Sequence, residues 1–100
     1  MSDREGLERL AQVSNIDAVH AISHYLYFAQ QSAASEVAAK LRAQGFEVLH
    51  RLGADGASWL VLATQHLVPT ADALAAARDA MERLATEFDG EYDGWEAAAV

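Results

Sequence analysis

Three groups of residues in this chain have the types and spacing to suggest chemistry. Asp89, Glu91 and Asp93 alternate and are followed by Gly94, copying the first half of a loop whose side-chain oxygens converge on a calcium ion. The copy stops there. The third loop position is Glu91 rather than Asp or Asn, and the twelfth, which needs a bidentate Glu, is Val100. Four histidines, His20, His24, His50 and His66, are the second group. The nearest pair, His20 and His24, is four residues apart, which along a strand separates the side chains by about 13 Å. These rings read as hydrogen-bonded structural residues rather than metal ligands. Ser23, Ser32, Ser35 and Ser58 form the third group, and none sits in a Gly-x-Ser-x-Gly elbow. No glycine-rich phosphate loop is present, and Ala29 to Ser32 carries no cation for an acyl phosphate. The pair Glu91 and Asp93 falls where an exposed strand places acids anyway. The expectation is therefore no catalytic residue, no metal site and no cofactor.

An aromatic trio, Tyr25, Tyr27 and Trp59, offers a different chemistry, because rings on adjacent strands can stack bases. Charge argues against it. Seven basic against fifteen acidic residues give a formal net charge of −8, which repels phosphates and anionic lipid headgroups. The rings instead suit contact with protein, and no direct nucleic acid or membrane partner is expected. No apolar run of about 18 residues or basic-then-apolar leader is visible, so a cytoplasmic protein is expected. With 100 residues, 52% of them apolar, and one proline, the chain can build one real core. It has no cysteine, so thiolate chemistry is excluded.

The elements that must position these residues follow from periodicity. Leu7, Leu10 and Val13 suggest a short helix over 3–13. Ile22, Leu26 and Phe28 alternate with Ser23, Tyr25 and Tyr27 in a strand, with His24 on the apolar side. Ser32 is expected to cap a helix to about Gln44, with Ala34, Val37, Ala38 and Leu41 as its stripe, ended by Gly45. Phe46–Arg51 and Trp59–Thr64 read as strands around a Gly53–Gly56 hairpin turn. Pro69-Thr70 opens a second long helix, striped by Leu74, Ala77, Met81, Leu84 and Phe88 and ended by Gly90. Glu91–Glu96 is a final short strand, whose alternation would set Glu91, Asp93 and Trp95 on one side and Tyr92 on the other.

The order strand, helix, strand, strand, helix, strand predicts an α+β, ferredoxin-like βαββαβ antiparallel sheet with two helices on one face. Ile22, Leu26, Phe28, Phe46, Val48, Leu60 and Leu62 are expected to face the helices, leaving Tyr25, Tyr27 and Trp59 on the opposite face. The chain divides into a partly helical extension (1–19), the domain (20–97) and a tail (98–100).

Phe88-Asp-Gly-Glu-Tyr-Asp-Gly-Trp95, after a helix carrying Leu84-Ala85, resembles the closing motif of the RraB family, regulators of ribonuclease activity that inhibit ribonuclease E. His24-Tyr-Leu-Tyr-Phe28 resembles its opening strand, and Gly45-Phe-Glu-Val48 the turn into its second. The likeness spans about residues 20–97. It departs at Glu96, where a glycine is expected, and in lacking a long acidic tail after Val100. The resemblance implies the same ferredoxin-like fold and a regulatory protein that binds the non-catalytic scaffold region of ribonuclease E, with no cofactor and no catalysis of its own. Partner contact is expected from Tyr25, Tyr27, Trp59, Glu91, Tyr92, Asp93 and Trp95, in a monomer or weak homodimer. A self-associating domain and a small-ligand sensor remain alternatives.

Overall fold

The computed structural model describes residues 3–98. The tail residues 99 and 100, including the Val100 of the calcium-loop comparison, lie outside the described residues. Three helices and four strands follow one another as α1 (Asp3–Val13), β1 (His20–Phe28), α2 (Gln31–Ala43), β2 (Glu47–Leu52), β3 (Trp59–Leu67), α3 (Ala71–Glu87) and β4 (Glu91–Ala97). The strands form one antiparallel sheet in the order β2-β3-β1-β4. The expected α+β class therefore holds.

β1 alternates strictly between buried and half-buried positions, so period two reports its two faces directly. Leu26 and Phe28 of β1 join Val61 and Ala63 of β3, Ala34, Val37 and Leu41 of α2, and Met81 and Ala85 of α3 in one buried cluster. Each of the larger side chains in this cluster contributes about 1.5–3 kcal/mol relative to exposure, and each alanine methyl less.

The face of β3 differs from expectation by one residue. Phe28 stands opposite Trp59, Tyr27 opposite Leu60, and Tyr25 opposite Leu62. Cross-strand partners share a face, so Trp59 lies with Phe28 on the core side, where it packs against the buried cluster. Leu60 and Leu62 lie with the two tyrosines on the other face. Both faces of β3 are apolar, so its sequence offers no alternation to orient it.

Helix ends hold two further corrections. The N-cap of α2 is Gln30, without a side-chain cap bond, and Ser32 lies inside the helix. Thr70 does cap α3, accepting from the Ala73 amide at 3.1 Å. Gly45 ends α2 at φ +95°, with its own N–H donating to Arg42 and that of Phe46 to Leu41. The same paired bonds close α3, from Asp89 to Thr86 and from Gly90 to Ala85, but the left-handed residue there is Asp89 at φ +58°, not Gly90.

Candidate functional site

β4 carries the most unusual geometry. Between His24 and Leu26 the register of β1 on β4 shifts, so that Asp93 and Gly94 together stand opposite Tyr25. This is a β-bulge, and Gly94 at φ +101° supplies the backbone conformation that other residues rarely adopt. The extra residue resets the alternation. Trp95 pairs with His24 and Tyr92 with Leu26, so both rings point to the helix side. Glu91 pairs with Tyr27 and Glu96 with Ser23, on the open side. The expectation that Trp95 shares a side with Glu91 and opposes Tyr92 is overturned by this one inserted residue.

The inward rings are occupied within the chain. Trp95 Nε1 donates to Asp3 Oδ1 at 2.8 Å, and Arg78 donates to Asp3 Oδ2 at 2.6 Å. The indole also lies against Gly6, where an added Cβ would come within 2.8 Å of the ring. Gly6 thus lets α1 sit directly on β4, with Leu10 buried beneath it. Tyr92 Oη and His24 Nδ1 share a 2.9 Å hydrogen bond, and the His24 ring stands edge-on to Phe46 at 6.4 Å. Burial lowers His24 to a pKa of about 4, against a smaller opposing pull from Asp3. The same burial raises the Tyr92 phenol well above its ordinary value. His20 is also buried: its Nδ1 lies 2.8 Å from the Ala18 carbonyl and its Nε2 lies 2.9 Å from Ser14 Oγ.

The opposite face is open. Tyr25 and Tyr27 are half-buried in its middle, flanked by half-buried Leu62 of β3 and by Leu49 of β2, which is 50% exposed; Leu60 on the same side is buried. Acids surround this apolar floor. Tyr25 Oη donates to Glu96 at 2.7 Å, a bond that raises the Tyr25 pKa. Glu91 and Asp93 are exposed on β4. Asp55, in the β2–β3 hairpin, accepts from the Ser58 and Ala57 amides and stays below the usual carboxylate range. A hollow of about 340 Å³ between hairpin and strand is lined by Tyr27, Ala54, Asp55, Ser58, Glu91 and Asp93.

Of the seven residues singled out from the sequence, the fold gathers Tyr25, Tyr27, Glu91 and Asp93 around this face. Tyr92 and Trp95 turn inward, and Trp59 packs on the core. Sequence reasoning missed Leu49 and Leu62 as surface floor and Asp3 with Arg78 as the anchor of Trp95. The run Trp59–Leu62 is apolar throughout and gave no sign of which face each residue takes. Among the described residues, no group of three or more His, Cys, Asp or Glu side chains could hold a metal ion.

Residues 1–97 match the family model described as regulator of ribonuclease activity B, nearly the whole chain. The chain belongs to the RraB family. The match includes α1, so the family region takes in the first nineteen residues as well as the sheet domain. No curated protein matches the chain in sequence. The family's description is that of a regulator of ribonuclease activity, a regulatory rather than catalytic class. No helix among the described residues is long and apolar enough to cross a membrane.

Proposed function

We propose that this RraB-family protein regulates ribonuclease E by binding its non-catalytic scaffold region, without catalysing a reaction itself. The observation that carries the reading is the family match over residues 1–97. The open face supports it: a half-buried aromatic and aliphatic floor inside an acidic rim is the surface of a domain that docks another polypeptide. In this reading Tyr25, Tyr27, Glu91 and Asp93 meet the partner, while Tyr92 and Trp95 hold the surface in shape from behind.

The reading takes the fold as ferredoxin-like. β1 and β3 occupy the middle of the sheet and β2 and β4 its edges, as two interleaved β-α-β units require, with α2 and α3 sharing the core on one side. The protein acts as a monomer or at most a weak homodimer. The test is calorimetric titration of the chain into purified ribonuclease E, with and without its scaffold region, beside an RNA cleavage assay of both forms. Binding and slowed cleavage only in the scaffold-bearing enzyme are expected. Equal behaviour of the two forms, or no binding to either, would overturn the reading.

A further inference from the structure

We infer that the open face of the sheet receives an arginine- and lysine-rich polypeptide segment, its aliphatic stems on the tyrosine–leucine floor and its charged heads at the acidic rim. The inference rests on the protein-binding reading above and adds the chemistry of the bound segment. Three observations converge on it.

The floor is apolar and continuous across three strands. Tyr25 of β1 stands opposite Leu62 of β3, and Leu62 stands opposite Leu49 of β2, while Leu60, opposite Tyr27, is buried and supports the floor from within. Long basic side chains cover such a surface with their methylene stems while their heads stay hydrated at its edge.

The rim carries negative charge that the chain itself does not neutralise. Glu91 and Asp93 have no ion-pair partner among the described residues, whose ion pairs gather instead around Arg4 and Arg78. Asp55 faces the same hollow, beside the Tyr27 ring, which leans toward Gly53 of the hairpin. A guanidinium or ammonium entering there meets three carboxylates and an aromatic ring, two features that favour cations.

Charge also separates the competing occupants. A second copy laid face to face would bring rim acids of one copy near those of the other, with Arg51 of each as the offsetting arginine on this face. A nucleic acid would set phosphates against the same acids. A cationic segment alone gains from both floor and rim.

The probe is a short fluorescein-labelled peptide of alternating arginine and leucine, read by fluorescence anisotropy at low and high salt. Peptides with serine or glutamate in place of arginine, and an oligouridine RNA, serve as comparison. Saturable, salt-weakened binding of the arginine peptide alone is expected. In the double variant Glu91→Gln, Asp93→Asn it should weaken about tenfold or more. A charge-matched double variant on the helices, Glu36→Gln with Asp72→Asn, should retain wild-type affinity. Equal loss in both double variants, equal binding of the serine peptide, or preference for the RNA would overturn the inference. Titrating the ribonuclease E scaffold region into the Glu91→Gln, Asp93→Asn variant separates the two readings. Undiminished scaffold binding there removes this surface and leaves the regulatory reading standing. Peptide binding in a wild-type protein that ignores the scaffold region does the reverse.

Discussion

Trp95 and Asp3, ninety-two residues apart, are joined by a 2.8 Å hydrogen bond from the indole Nε1 to the carboxylate. Arg78 holds the other carboxylate oxygen, so α1, α3 and β4 meet at one acid that is itself largely buried. A hydrogen bond to a charged group in such a setting contributes about 1.5–3 kcal/mol. The contact makes α1 an integral layer of the domain, and it depends on Gly6 leaving room for the ring.

Gly6→Ala should therefore lower stability, although alanine is the better helix former. Helix propensity favours the substitution by about 1 kcal/mol. The added methyl enters the space of an indole tethered at its nitrogen, and such overpacking costs about 1–3 kcal/mol. A net loss of about 1 kcal/mol is expected in urea unfolding. A gain would show that the ring yields freely and that α1 is only loosely seated.

Acid should weaken the fold through His24 over a window that opens above the carboxylate range. Its folded pKa of about 4 lies below the ordinary 6.5, so the unfolded chain takes up a proton that the folded one refuses. The stabilisation is whole above the unfolded value and is lost as pH falls from 6.5 through 4, reaching about 3 kcal/mol. Denaturation midpoints measured across this window should fall steeply in the wild type and less in His24→Gln. Parallel slopes would place the titrating group elsewhere.

Substitutions at the end of α3 should have opposite signs one residue apart. Asp89 holds the left-handed position, so Asp89→Gly should stabilise by about 0.5–1 kcal/mol. At Gly90 an added Cβ would run into the Phe28 ring and the Tyr27 carbonyl. Because one obstacle is backbone, Gly90→Ala should cost about 3 kcal/mol or more. Thermal unfolding of both variants checks the pair, and a stabilised Gly90→Ala would mean that Phe28 and the Tyr27 backbone yield to the added methyl.

Helices, strands and the first strand's two faces were legible because their signals are local. Period two in Ile22–Phe28, period three and four in Leu74–Phe88, and Thr70 before α3 each reflect neighbours a few residues apart. The orientation of Trp59 was not legible. Trp59–Leu62 is apolar on both sides, and only its pairing with Phe28 and Tyr27 assigns the faces. Trp95 was misplaced for a related reason: alternation counts residues, and the bulge at Asp93–Gly94 adds one that no pattern of hydrophobicity marks.

By itself the sequence determined the class of elements, the excess of negative charge and the aromatic residues of the first strand, all properties of composition and short-range periodicity. The tertiary structure alone decided which rings face outward and that Asp3 anchors Trp95. It also decided that Leu49 and Leu62 complete the open face. These depend on strand register and on contacts across the whole chain, where a shift of a single residue exchanges inside for outside.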